Sequence, residues 1–370
     1  MLKLIKNVEC YAPVYLGRRD ILVAHEKIIV IDTDIQSVNL PGVEVFNCDN
    51  KIACPGFIDQ HVHILGGGGE QGPQSSISPI TAEELVSAGI TTVVGLLGAD
   101  FINKSMEGLL MKAYSLEADG LTSYIYAGHY GLPAVTITGR LLTDIALIEK
   151  VIGAGEIAIS DYRSACPALY ELQKLSYEVI TGGMLGKKAG VIHLHVGDGR
   201  SMLKPLIQLL ESSDFPISMY VPTHLNRNMG LFDQAVQYWL NGGNIDLTAG
   251  EAALEGCKVP DCLDHLLKKG NSLDRVTVSS DGNGSSGQAH TGTMQVSALF
   301  NDIRSAVIDK KLPFETVLTV VTANVARLLM LYPEKGILSA GSDADILVLD
   351  KETLELEMVF ARGRLMLKNK

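Results

Sequence analysis

The sequence of 370 residues carries a formal charge of −11 and has no cluster of Lys or Arg to set against it. Binding a polyanion needs a basic patch that displaces counterions, so nucleic acid is not an expected partner. No run approaches the ~18–20 uninterrupted apolar residues that span a bilayer, and no membrane role is expected. The opening MLKLIKNVEC lacks an apolar stretch followed by a small-residue cleavage site, so a secretory signal is not expected there either. Cysteine is sparse: Cys10, Cys48, Cys54, Cys166, Cys257 and Cys262 are scattered through the chain. The last two form C-x4-C, but no second pair or nearby His completes a zinc knuckle. Free buried thiols in a reducing cytoplasm are the expectation.

What is present has the texture of an ordinary globular protein, with 46% hydrophobic and 20% charged residues. Length suggests two or three domains, although one α/β barrel can hold roughly 250 residues. Short Val- and Ile-rich runs fill residues 1–50, in LKLIKNVEC, DILVAHEKIIVID and GVEVFNCD. The same texture returns at the far end in DADILVLD and LELEMVFARGRLMLK. These read as antiparallel strands. Lone strands leave unpaired edges, so both ends are expected to build one small β-domain.

Between them, eight strand-like runs alternate with helical ones. They are KIACPGFID (51–59), TTVVGLLG (91–98), TSYIYAG (122–128), EIAIS (156–160), GVIHLHVG (190–197), PISMYVPTH (216–224), NIDLTAG (244–250) and RVTVSSD (275–281). One intervening helix, TAEELVSAG, has capping-box spacing between Thr81 and Glu84, with Gly89 as its stop. Parallel βαβ units in this number predict a closed barrel. The expected fold class is therefore α/β: a (β/α)8 TIM-like barrel over 54–336 and a small β-sandwich domain from 1–53 and 337–370.

On a strand, residues two apart share a face, so His61 and His63 in FIDQHVHILGGGGE can reach one metal ion. Alone, H-x-H reads first as two satisfied histidines. Three further residues change that balance. His195 ends the fifth strand, His224 the sixth and Asp281 the eighth. The C-terminal strand ends of such a barrel are the usual seat of chemistry. Neutral imidazole and carboxylate suit zinc or another divalent first-row metal. His193 shares the face of His195 one layer deeper and is expected to be a satisfied core histidine. His25, His129, His265 and His290 fall in terminal, loop or helical contexts where local hydrogen bonds suffice. His290 also lies in a glycine-rich loop that could cover the site.

H-x-H on strand one, single histidines closing strands five and six, and Asp closing strand eight resemble the amidohydrolase superfamily. The tail KGILSAGSDADILVLD is similar to the segment by which many members return from the barrel to a small β-domain. GGGGEQGP, AGHYGLPAVTITG, AISDYRSACP, VPTHLNRN and SSDGNGSSG narrow the resemblance to the isoaspartyl (β-aspartyl) dipeptidases, across almost the whole chain. That resemblance implies a dizinc peptidase that removes an N-terminal isoaspartyl residue by means of a metal-bound hydroxide. It places Glu70 on the substrate's α-amino group and Tyr130 on the scissile carbonyl. It places Arg163, Arg227 and Ser285 on the carboxylates, with Asp281 as both ligand and general base. The chemistry agrees, since an isoaspartyl dipeptide carries one ammonium and two carboxylates, and Arg grips a carboxylate in bidentate fashion. A surface salt bridge is the plain alternative for either arginine. The resemblance also implies a small dipeptide substrate and a homo-oligomer.

The pattern breaks at strand four, where the family ordinarily presents a carboxylated lysine that bridges the two metals. Here the matching residue is Glu156. It preserves an anionic carboxylate and requires no CO2, but its reach is shorter. Glu156 therefore bridges two metals directly, binds one in a mononuclear site, or leaves the site degraded. Gly153 and Gly155 upstream allow an adjusted backbone path. Rival readings are another amidohydrolase activity, such as cyclic-amide hydrolysis or N-acyl amino acid deacylation, and a non-catalytic scaffold of the same fold.

Overall fold

A computed structural model describes residues 2–36, 41–251, 256–286 and 292–369 of the chain. The first strands are β1 (Leu2–Tyr11), β2 (Tyr15–Ala24), β3 (Lys27–Asp32), β4 (Glu44–Asn47) and β5 (Lys51–Pro55). Next come β6 (Phe57–Val62), β7 (Ile90–Gly95), β8 (Thr122–Ala127), β9 (Val151–Ile159), β10 (Val191–Val196), β11 (Tyr220–Thr223), β12 (Ile245–Thr248) and β13 (Val276–Ser279). A short hairpin of β14 (Ser285–Ser286) and β15 (Gly292–Thr293) precedes β16 (Ile346–Asp350), β17 (Leu356–Ala361) and β18 (Arg364–Lys368).

The two chain ends do meet in one sheet. Strand β5 pairs antiparallel with β16, from Pro55 opposite Ile346 to Lys51 opposite Asp350. The order β18-β17-β16-β5-β1-β2-β3 is one continuous path, with β4 branching from β1. This sheet encloses its own buried cluster, which includes Ile5, Ile21, Phe46, Ile346 and Phe360. The run KIACPGFID, read above as one strand, is two. It divides at Gly56, so Lys51–Pro55 joins the terminal sheet and Phe57–Val62 opens the parallel array. A Cβ at Gly56 would stand 2.2 Å from Thr91 Oγ1, so the crossing has no room for a side chain.

Strands β6 to β11 form a parallel sheet in chain order, and β12 pairs in parallel with β13. Hydrogen bonds link the two pieces at both seams. Leu225 N–H donates to Asp246 O at 3.4 Å beyond β11, and His63 N–H donates to Gly282 O at 2.9 Å beyond β6. All residues of β6–β13 except Tyr124 are buried, as strands covered on both faces require.

Helices cover the outside. The one at Ala82–Ser87 opens with the expected capping box: Thr81 Oγ1 accepts from Glu84 N–H at 3.2 Å, and Glu84 accepts from Thr81 N–H at 2.8 Å. Among the described residues, no helix is long and apolar enough to cross a membrane. All six cysteines are free; Cys10, Cys48, Cys54 and Cys262 are buried as expected, whereas Cys166 is exposed and Cys257 half-buried.

The parallel array and the terminal sheet are tied by Lys335. Its ammonium donates to Asp345 Oδ2 and Thr122 Oγ1, each at 2.6 Å, and lies 2.7 Å from Asp343 Oδ2. Thr122 starts β8 and Asp345 immediately precedes β16, so one buried cation spans the junction.

Candidate metal centre

His61 lies in β6 and His63 one residue beyond it, His195 lies in β10, His224 follows β11 directly, and Asp281 follows β13 by two residues. All five are buried. His224 (φ 61) and Asp281 (φ 52) adopt left-handed backbone conformations that side chains rarely take. Such conformations persist only where the surroundings over-determine them, and they gather at functional sites.

Glu156 reaches the same point from inside β9. Between Ala154 and Ile157, β9 advances three residues while β10 advances two, from Ile192 to Leu194. The extra residue is a bulge, which re-aims a side chain and answers the shorter reach of glutamate. Gly153 and Gly155 permit this path through close approach. A Cβ would fall 2.4 Å from Val191 O at Gly153 and 2.9 Å from His193 Cβ at Gly155.

The donor atoms converge. Glu156 Oε2 is 3.1 Å from His61 Nε2, 3.0 Å from His195 Nδ1 and 3.1 Å from His224 Nε2. Glu156 Oε1 faces His63 Nε2 at 3.9 Å. Asp281 Oδ1 is 3.2 Å from His61 Nε2 and 3.1 Å from His63 Nε2. Yet His61 Nε2, Glu156 Oε1 and Asp281 Oδ1 are buried without a hydrogen bond. Buried lone pairs this close, and not aligned on one another, point to a shared centre between them. His61, His63, His195, His224, Glu156 and Asp281 make a donor set that fits a divalent cation.

Electrostatics agree. Burial opposes ionisation of Glu156 and Asp281, but the facing imidazoles, His61 foremost, hold both carboxyls well below the usual range. Burial likewise opposes charge on His61, and Glu156 and Asp281 overcome it and raise that imidazole well above its usual value. Two buried anions thus demand a positive charge beside them, from a proton or a metal. His224 moves the other way. Burial first, and the Arg227 charge second, lower it to about 3, which leaves a neutral imidazole able to donate a lone pair.

Three of these imidazoles are tethered from behind. His61 Nδ1 is 2.8 Å from His193 Nε2, His224 Nδ1 is 2.8 Å from Thr248 Oγ1, and His195 Nε2 is 3.0 Å from Asp161 Oδ2. Partners of this kind fix the ring's tautomer and orientation. His193 is the hydrogen-bonded core histidine expected above, and it also orients a candidate ligand. Asp161 and Thr248 were not singled out from sequence, although each stands at or just beyond a strand end, where a polar residue is a usable signal.

The other expected residues border this centre. Gly66 (φ 81) and Gly68 (φ 79) fold the loop that carries Glu70; a Cβ at Gly66 would lie 2.0 Å from Ile77 O. Glu70 Oε1 accepts from Ser285 Oγ at 2.7 Å and from Arg163 Nη1 at 3.2 Å. The Arg163 guanidinium lies 5.0 Å from the centroid of the Tyr130 ring, and Tyr130 Oη is 3.1 Å from His195 Nδ1. Burial pushes the Tyr130 hydroxyl well up, so it stays protonated and can donate. Arg227 Nε donates to Glu251 at 3.0 Å, and its charge is felt at His224. Both arginines therefore hold acids of the chain itself, Asp161 with Glu70 and Glu251, which sequence did not reveal. His290 lies outside the described residues.

No family model matches the chain. A β-aspartyl dipeptidase from Fervidobacterium islandicum AW-1 superposes with a TM-score of 0.93 at 39% identity, covering 100% of this chain and 97% of that one. A second structure of the enzyme from that organism, in complex with the β-Asp-Leu dipeptide, gives a TM-score of 0.93 at 38% identity with the same coverage. The dihydropyrimidinase of Brevibacillus agri shares the fold, with a TM-score of 0.70 and 16% identity over 100% of this chain and 95% of that one. Among curated proteins, the dihydroorotase of Ehrlichia chaffeensis is 28% identical over 176 residues, which is 46% of this chain and only 37% of that protein. The full-length likeness at 39% identity is the deciding one. The chain belongs to the β-aspartyl dipeptidase family.

Proposed function

We propose that this chain is a metal-dependent dipeptidase that hydrolyses the side-chain-linked peptide bond of N-terminal isoaspartyl dipeptides. The observation that carries this reading is a full-length relative, 38% identical, that binds β-Asp-Leu. The cluster of Glu70, Ser285 and Arg163 beside the candidate ligands supports it. In this reading Glu70 takes the substrate's ammonium, while Arg163, Arg227 and Ser285 take its carboxylates, sharing them with their present acid partners. Asp281 accepts the proton of the attacking water and passes it to the leaving amine. Tyr130 donates to the scissile carbonyl oxygen as charge develops there.

His61, His63 and Asp281 on one side, and His195 and His224 on the other, would hold two divalent cations, zinc being the first candidate. Glu156 lies between them in place of a carboxylated lysine, its Oε2 facing His61, His195 and His224 and its Oε1 facing His63. Such cations, when bound, polarise a carbonyl and lower the pKa of coordinated water from ~15.7 to about 7. The hydrogen bonds at both seams support a closed (β/α)8 barrel over 54–336, with 1–53 and 337–370 as a small β-sandwich domain. The free thiols suit a cytoplasmic enzyme, and a homo-oligomer follows from the resemblance.

The test is a substrate panel on zinc-reconstituted protein: β-Asp-Leu, α-Asp-Leu, dihydroorotate and N-acetyl amino acids. The highest kcat/KM should belong to β-Asp-Leu. A preference for any other member overturns the substrate assignment.

A further inference from the structure

Asp161 follows β9 and is 8% exposed. We propose that it is a positioning residue that couples the candidate ligand His195 to the substrate-binding arginine Arg163; the inference rests on the function proposed above.

Its two oxygens are fully engaged. Oδ2 lies 3.0 Å from His195 Nε2 and accepts from Arg163 Nη2 at 2.9 Å. Oδ1 accepts from Arg163 Nε at 3.0 Å and from the Arg163 backbone N–H at 2.8 Å. The opposite nitrogen of His195 faces Glu156 Oε2 at 3.0 Å. To offer its Nδ1 lone pair to a metal, His195 must carry its proton on Nε2. An ionised carboxylate accepts only, so Asp161 selects that tautomer. The same carboxylate grips Arg163 in the fork geometry and leaves Nη1 directed at Glu70. The ligand and the substrate clamp are thereby set by one group.

The neighbouring strand leaves space for this arrangement. A Cβ on Gly197, the residue after β10, would meet both Asp161 Cβ and Oδ2 at 2.5 Å. Any side chain there pushes the carboxylate off His195.

The test compares wild type with Asp161→Asn and Gly197→Ala. Zinc affinity is read by chelator competition, unfolding temperature is taken with the metal removed, and KM and kcat are measured on β-Asp-Leu. An amide of the same shape has one acceptor oxygen, so it cannot serve both the Oδ2 partners, His195 and Arg163 Nη2, and the Arg163 Nε and backbone N–H that Oδ1 serves. Asp161→Asn should bind zinc about 10–100-fold more weakly and raise KM. Gly197→Ala, which keeps every charge, should weaken zinc in the same direction, and it carries the test if Asp161→Asn does not fold. Zinc affinity within twofold of wild type in both variants overturns the proposal, whatever happens to stability. Weaker zinc with an unchanged KM removes Arg163 from it and so refutes the coupling. If wild type binds zinc but does not cleave β-Asp-Leu, the proposed function fails, and the zinc titration still decides the link between Asp161 and His195.

Discussion

His193 Nε2 stands 2.8 Å from His61 Nδ1. Burial holds His193 well below its usual range, so its ring is neutral and can accept the Nδ1–H of His61. His61 Nε2 is then directed at Glu156 and Asp281. His193→Leu removes that acceptor and strands a buried N–H. Zinc affinity should fall about 10–100-fold, as measured by chelator competition. An unchanged affinity would reduce His193 to packing.

Glu156 brings its carboxylate ready-made. Metal-free enzyme reloaded with zinc in CO2-depleted buffer should regain the same activity as enzyme reloaded with bicarbonate present. Glu156→Gln should lower the metal content measured by elemental analysis. Rescue of wild type by bicarbonate would contradict the assignment.

Tyr130 is buried, protonated and within reach of the candidate ligands. Removing one oxyanion donor typically costs ~10²–10³-fold in rate. Tyr130→Phe should therefore lower kcat on β-Asp-Leu by that order while KM changes little. An intact kcat would take Tyr130 out of the chemistry.

Lys335 is 5% exposed and pairs with Asp343 and Asp345 at the junction of the parallel array and the terminal sheet. Lys335→Met leaves the buried Asp345 without its cation and Asp343 with Lys27 alone, and breaking a buried pair typically costs about 3–5 kcal/mol. Urea unfolding should show this loss. Burial opposes the shift, yet Lys335 holds Asp343 below its usual range. The Asp343 contribution is accordingly present near neutrality and is lost as pH falls below about 4.

His224 contributes to the pH response of the metal-free protein, in the same sense as the buried His193. Its folded pKa is about 3, set first by burial and then by Arg227, against ~6.5 in the unfolded chain. The unfolded state binds the proton first, so the His224 contribution is complete above ~6.5 and drains away as pH falls toward 3. Thermal melts between pH 7 and 4 should show that decline, and His224→Asn should make it shallower, leaving the part due to His193. Equal slopes for the two proteins would assign the acid sensitivity elsewhere.

Local pattern exposes the ligands of this centre more readily than their supports. Two-residue spacing on a strand reveals His61 and His63, and closure of an apolar run reveals His195, His224 and Asp281. Their supports arrive from far along the chain: His193 lies 132 residues from His61, Asp161 lies 34 from His195, and Thr248 lies 24 from His224. No periodicity carries that information. The pairings of Arg163 with Glu70, 93 residues away, and of Arg227 with Glu251, 24 away, were hidden for the same reason, whereas Asp161 stands only two residues before Arg163. Likewise, the apolar run through Gly56 conceals the point where one sheet ends and the next begins, because both halves are buried.

The pairing of β5 with β16 has a consequence for synthesis. Lys51–Pro55 leaves the ribosome long before the edge that completes it, Ile346–Asp350. Until Ile346–Asp350 is made, β5 therefore presents an open strand edge, a template for pairing with another nascent copy. Domain-by-domain folding from the N-terminus cannot protect it. Production of this protein should accordingly benefit from a chaperone that shields extended strands, and stalled chains should be found in aggregates.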